Sequence, residues 1–369
     1  MDRKSEWDTA RLIAADKRHV WHPFTAMADW CAPEHEPLVL VKGRGSLLWD
    51  SEGREYIDGN SSIWTNIHGH NHPRINAAIR QQLDRVAHTS FLGFTNSPAV
   101  ELATTIAQLS PNQSLTRVFY SDDGSTAIEA ALRITLQYWR LKTSERSEFL
   151  AFHGGYHGDT AGAASLGAGQ MFDATIPDWR FPARQISSVI ALEQLSPADA
   201  AKIAAVVIEP LVQGAAGICL WPAGTLTAVR NWCDRAGALL IADEVLTGFG
   251  RTGRMFACEH EQAKPDLLVL GKGLTAGYLP LAMTVVTEKV FEPFRLANDP
   301  AHTLFYGHSY TGNALGCAAA IASLEVFRDE AVLDRLQGKI ELLRAQLAAL
   351  ANLEAVSEIR QCGFIAGIE

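Results

Sequence analysis

The chain has 369 residues, of which 47% are hydrophobic and 20% charged, with a formal net charge of -9. That length predicts about two domains around a large core, and the acidic balance excludes nucleic acid as an expected partner. No apolar stretch is long enough to span a bilayer, and the charged opening from Met1 to His22 lacks a secretory core, so a cytoplasmic protein is expected. Its six cysteines (Cys31, Cys219, Cys233, Cys258, Cys317, Cys362) are scattered without metal spacing, which predicts reduced thiols and no metal.

In chain order, Trp21-His-Pro-Phe-Thr25 precedes a meander from Leu38 to Asp50, turn residues at Ser51-Glu52-Gly53 and a short run at Glu55 to Ile57. Small antiparallel strands are predicted there. From Asn76 onward, helical patterns at Asn76–Val86, Ala99–Leu109 and Ala127–Tyr138 alternate with short apolar runs. The candidate strands are Arg117–Tyr120, Phe149–Phe152, Ala204–Ile208, Leu239–Ala242, Leu267–Leu270 and Ala282–Val286. Strands separated by helices predict an α/β fold with a mostly parallel central sheet flanked by helices. Long helical patterns follow at Ala314–Phe327 and Ala331–Leu350, and a strand is expected to begin in Phe364-Ile-Ala-Gly-Ile-Glu369. The chain stops there without a cap, so a truncated last domain is expected. The expected division is residues 1–70 as the N-terminal part of a small α+β domain, 71–312 as the large domain, and 313–369 as a connecting helix and incomplete C-terminal part.

A parallel sheet gathers ligands at the carboxyl ends of its strands, and three chemically capable residues end such runs. Lys272 follows Leu267–Leu270 between Gly271 and Gly273; burial there would lower its pKa and make the amine a nucleophile for carbonyls. Asp243 ends Leu239–Ala242, and Glu209 follows Ala204–Ile208. An aldehyde-binding lysine with a strand-end carboxylate is a pair that pyridoxal phosphate chemistry needs. Gly124, Ser125 and Thr126 lie at a helix start, where free N–H groups favour a phosphate, although an ordinary N-cap reads the same way. Tyr156, in the run Phe152-His-Gly-Gly-Tyr-His-Gly158, would stack on a flat ring or pack on the core. The loop Tyr306-Gly-His-Ser-Tyr-Thr-Gly-Asn313 offers further hydroxyls, with capping as the alternative. His68-Gly-His-Asn-His72 has the look of a metal cluster but no matching ligands elsewhere.

Taken in order, these residues resemble the class III aminotransferases of pyridoxal-phosphate fold type I. The most specific stretch is Leu240-Ile-Ala-Asp-Glu-Val-Leu-Thr-Gly-Phe-Gly-Arg-Thr-Gly253, followed by Pro265-Asp-Leu to Lys272. Within the family, Trp21-His-Pro-Phe-Thr25, Ser61-Ser-Ile-Trp64, Ile67-His-Gly-His70 and Tyr156-His-Gly-Asp-Thr160 resemble the biotin-pathway branch, which converts 8-amino-7-oxononanoate to 7,8-diaminononanoate. The resemblance implies pyridoxal 5'-phosphate as cofactor and a homodimer with shared active sites. It also implies that Lys272 binds the cofactor and shuttles the proton, Asp243 pairs with the pyridine nitrogen, and Tyr156 borders the ring. Gly124 and Ser125 would hold the phosphate, with His308 and Ser309 supplied by the neighbouring subunit and Glu209 close to the cofactor. Phe24, Ile63, Trp64 and Gly307 would line the substrate pocket.

Three departures concern the amino donor. Family members that use S-adenosylmethionine often carry Gly-Pro-Thr in place of Gly307-His308-Ser309, a Trp pair in place of Ile63-Trp64, and tyrosine in place of Phe24. Relatives that take the amino group from lysine share the Gly-His-Ser-Tyr-Thr-Gly-Asn loop. Both donors therefore stand as expectations. The alternatives are a class III enzyme for ω-amino acids or diamines, or a catalytically impaired fragment lacking the family's C-terminal carboxylate-binding arginine.

Overall fold

A computed structural model of the chain describes residues 7–167, 181 and 183–369. Fourteen strands lie among them: β1 (Leu40–Arg44), β2 (Leu47–Asp50), β3 (Glu55–Ile57), β4 (Leu115–Ser121), β5 (Glu148–Phe152), β6 (Arg184–Ile186), β7 (Ile203–Ile208), β8 (Val212–Gln213), β9 (Cys219–Leu220), β10 (Leu239–Asp243), β11 (Leu267–Leu270), β12 (Ala282–Thr287), β13 (Ile359–Cys362) and β14 (Ile365–Ile368). Seven form one sheet in the order β4-β12-β11-β10-β7-β5-β6. Strand β12 runs antiparallel to both neighbours, and the pairs from β11 through β6 are parallel.

The sequence of the central strands explains their place. Every residue of β7, β10 and β11 is buried, as continuous apolar runs must be when a sheet is covered on both faces. Side chains alternate between those faces. Leu240, Val206 and Leu268 join one core cluster, while Leu239, Ile241, Val207 and Leu267 join the other. Register places Asp243 beside Val269 and Ala242 beside Ile208, so β10, β11 and β7 end together. Glu209, Asp243 and Lys272 leave the sheet at that shared edge.

All six predicted strands of the large sheet are present, with no end displaced by more than two residues. The seventh, β6, was not expected. The helix over Ala127–Tyr138 begins earlier, at Gly124, because Asp123 and Thr126 form a capping box. It buries Ile128, Leu132 and Ile134 against the sheet, each side chain contributing about 1.5–3 kcal/mol. The helix over Asn76–Val86 likewise starts early, at Pro73, and runs to Leu83. Helix Ala314–Asp329 packs on it and on helix Ser97–Leu109. The expected terminal strand is β14, paired in a hairpin with β13. All six cysteines are free, and no helix among the described residues is long and apolar enough to cross a membrane.

Candidate active site

At the shared strand edge lies a cleft of about 420 Å³ whose lining includes Trp64, Gly124, Ser125, Tyr156, Glu209, Asp243 and Lys272. Lys272 enters it through a left-handed backbone (φ 42) at the start of the short turn Lys272–Thr275. Its Nζ stands 4.8 Å from the centroid of the Trp64 indole and has no hydrogen-bond acceptor among the described residues. Burial holds the amine below the usual lysine range, against the opposing charges of Asp243 and Glu209. Lys272 thus lies at the strand edge beside Asp243 and Glu209, where the sequence places it.

Asp243 is nearly fully buried and has both oxygens engaged. Oδ2 accepts from His157 Nδ1 at 2.7 Å, and Oδ1 accepts from Val245 N at 3.1 Å. Burial alone would push the His157 imidazole down, but the hydrogen bond and charge of Asp243, with Glu209 adding to them, hold its pKa above the ordinary value. The imidazole thus anchors the carboxylate in place. Glu209 accepts from Tyr156 N at 3.0 Å and from Gly214 N at 2.9 Å, while burial raises its pKa to about 7. It joins the loop carrying Tyr156 to the loop after β8. Tyr156 donates its hydroxyl to Asp159 Oδ2 at 2.7 Å, and burial pushes that phenol up.

The N-terminus of helix Gly124–Leu141 opens into the same cleft. Asp123 Oδ1 takes the Thr126 N–H at 2.9 Å, leaving the N–H groups of Gly124 and Ser125 without acceptors among the described residues. Gly124 lies so close to Val245 that a Cβ there would meet Cγ1 at 2.8 Å. Gly158, at φ +121, is equally constrained, since its Cβ would come within 2.1 Å of Ser125 Oγ. Both glycines let backbone crowd around the helix start.

Other expected residues stand elsewhere. Phe24 is 69% exposed and Ile63 66% exposed, and neither lines this cleft. Gly307, His308 and Ser309 are also outside its lining. His308 Nδ1 lies 3.1 Å from Asp122 Oδ2, and the Ser309 carbonyl accepts from His88 Nε2 at 2.8 Å. A single chain thus gathers the expected lysine, carboxylates, tyrosine and helix start, while leaving the 307–309 loop to one side. The sequence reading missed His157 as the partner of Asp243. Its one signal was adjacency to Tyr156, because 86 residues separate it from the carboxylate it holds.

Comparisons with known proteins bear on this site. The aminotransferase class-III family model matches residues 30–369. The adenosylmethionine-8-amino-7-oxononanoate aminotransferase of Geobacter sulfurreducens is 45% identical, over 99% of this chain and 84% of that protein. The enzyme of the same name from Nitratidesulfovibrio vulgaris is 47% identical, over 98% of this chain and 70% of that protein. Among solved structures, the adenosylmethionine-8-amino-7-oxononanoate aminotransferase of Methanocaldococcus jannaschii matches with a TM-score of 0.95 and 38% identity, covering 98% of this chain and 84% of that one. An (S)-enantioselective omega-transaminase from Thermomicrobium roseum matches with a TM-score of 0.91 and 31% identity, again over 98% and 84%. With matches of this extent to enzymes of one reaction type and one fold, the chain belongs to the class-III aminotransferases, of fold type I.

Proposed function

We propose that this aminotransferase makes 7,8-diaminononanoate from 8-amino-7-oxononanoate, taking the amino group from S-adenosylmethionine or lysine and using pyridoxal 5'-phosphate. Likeness along nearly the whole chain to enzymes named for that ketone carries the proposal. The cleft fits the cofactor. The open N–H groups of Gly124 and Ser125 suit its phosphate, Lys272 Nζ suits its aldehyde, and the Asp243 carboxylate suits a protonated pyridine nitrogen. Asp122 adds unfavourable charge on the phosphate side.

When bound, the cofactor supplies an electron sink for the substrate carbon that loses its proton. The chain supplies the rest. Lys272 Nζ would hold the cofactor, and the same amine would carry the substrate's α-proton. Burial, which lowers its pKa, favours the neutral form that the task needs. Because one amine on one face serves both half-reactions, a single fixed geometry suffices. Tyr156 would border the ring, Glu209 holds the Tyr156 loop, and the Trp64 indole lies over Nζ. We place the chain in a homodimer, in which His308 and Ser309 complete the neighbouring copy's site.

The likeness to an omega-transaminase favours a second reading, amination of a simple ketone or keto acid. The purified chain, loaded with pyridoxal 5'-phosphate, separates the two when each donor is offered with 8-amino-7-oxononanoate and the product is read by mass spectrometry. Diamine formation is expected. Amination of simple keto acids with no diamine from either donor would replace the first reading by the second.

A further inference from the structure

His68, His70 and His72 look like a ligand set in the sequence but turn to three different partners. His68 Nε2 lies 3.1 Å from the Ser323 carbonyl oxygen, and His72 Nε2 lies 3.3 Å from Glu330 Oε1. His70 Nε2 donates to Asp58 Oδ2 at 2.7 Å. The same carboxylate accepts from Ser62 N at 2.9 Å and Ser62 Oγ at 2.8 Å.

Ser62 belongs to the run Ser61–Trp64, whose φ values are 54°, 49°, 60° and 64°. Non-glycine residues visit this left-handed region singly, so four in succession persist only when surrounding contacts over-determine them. Asp58 is well placed to do so, because its own N–H donates to the Ser46 carbonyl at 2.8 Å. His70 is fixed in turn by two backbone hydrogen bonds with Gly45, at 2.7 and 2.9 Å. Gly43 presses on it so closely that a Cβ there would come within 2.8 Å of the imidazole. At the far end of the run, the Trp64 indole covers Lys272 Nζ at 4.8 Å and packs against Gly214.

We propose that Asp58, oriented by His70, is a positioning residue that keeps the Ser61–Trp64 turn left-handed and the Trp64 indole over the Lys272 amine. The indole then walls one side of the amine from water. The proposal rests on Lys272 being the reacting amine, as above, and is independent of which ketone is the substrate.

The test uses the cofactor-free chain. Acetylation of Lys272 by an N-hydroxysuccinimide ester is followed by mass spectrometry of the peptide that contains it. Asp58→Ala and Trp64→Ala should each speed labelling about threefold or more, and the double variant should label no faster than either, as coupled residues require. In the loaded enzyme, Asp58→Ala should lower kcat/KM for the amine donor by about tenfold, and Asp58→Asn, which keeps an acceptor for Ser62 N, should recover most of it. Unchanged labelling in Asp58→Ala, or additive increases in the double variant, overturns the proposal. Should Asp58→Ala fail to fold, His70→Ala carries the labelling test with a threshold of about twofold, and no change there overturns it equally. Coupled labelling alongside an enzyme that never forms the diamine would count against the ketone assignment alone.

Discussion

Lys272 has the chemistry of its setting rather than that of its type. Desolvation keeps the amine available as a base while Asp243 and Glu209, both at neighbouring strand ends, limit how far its pKa falls. Replacing it by alanine should remove both the cofactor link and the proton carrier, lowering turnover by about 10³-fold or more. Borohydride should then trap no adduct at residue 272, and turnover within about tenfold of the parent would remove Lys272 from the role. Glu244 provides a second residue-scale test, outside the reacting set. It is fully buried, and burial raises its pKa to about 7 although its oxygens accept from Ala257 N at 2.6 Å and Cys258 N at 2.8 Å. A raised carboxyl pKa means that the folded state holds its proton longer than the unfolded chain does. Its stabilising contribution is therefore complete below the unfolded value of 4.5 and is lost as pH rises through about 7. Glu244→Gln also turns an amide N–H toward a backbone N–H, so it should destabilise by about 1–3 kcal/mol. Urea unfolding should show that deficit larger at about pH 5 than at about pH 8, because only the parent loses the Glu244 contribution between them. An equal deficit at both would mean that Glu244 does not titrate in that window.

At the scale of elements, the helix start at Gly124 and the loop through Gly158 work as one unit. Ser125 Oγ accepts from Asp159 N at 3.2 Å, and Gly158 passes directly over Ser125. Gly158→Ala adds a Cβ where φ is +121 and Ser125 Oγ already stands, so the helix start must shift. The expected cost is about 1–3 kcal/mol, read by equilibrium dialysis as roughly ten- to a hundredfold weaker retention of pyridoxal 5'-phosphate. Ser125→Ala removes one hydrogen bond and should cost only about 1 kcal/mol. Equal losses in both variants would deny the crowding any part in cofactor binding. The sequence made this helix start and the ends of β7, β10 and β11 legible, because buried parallel strands are unbroken apolar runs with polar residues just beyond them. Strand β6 was hidden because it is three residues long, lies at the sheet edge and contains Arg184 and Gln185. The left-handed turn at Ser61–Trp64 was hidden for a different reason. Its residues carry no glycine, and the contact between Asp58 and His70 that holds it spans the turn from outside. Local pattern cannot report conformations that distant partners impose.

At the scale of the whole molecule, exposed apolar side chains stand near the loop that carries His308 and Ser309. Leu92 is 88% exposed, Phe94 68% and Tyr310 60%. Direct contacts join the segments that carry them. Besides the His88 contact to the Ser309 carbonyl, the His88 ring meets Tyr310 with centroids 4.8 Å apart. Asn96 Nδ2 donates to the Gly312 carbonyl at 2.9 Å, and Phe91 packs directly against Gly312. Apolar surface presented on an ordered platform marks an interaction site, and a second copy would cover it in the proposed homodimer. Each large side chain buried there would contribute about 1.5–3 kcal/mol, whereas a carboxylate in the same place would have to be desolvated without a partner. Leu92→Asp should therefore convert a dimer into a monomer in sedimentation velocity, with the folded chain's circular dichroism unchanged. Turnover should fall with dimer content, because the His308–Ser309 loop lies outside its own chain's cleft. Raising the protein concentration should restore both together. A variant that stays dimeric would move the interface away from this patch, and a fully active monomer would show that one chain completes its own site.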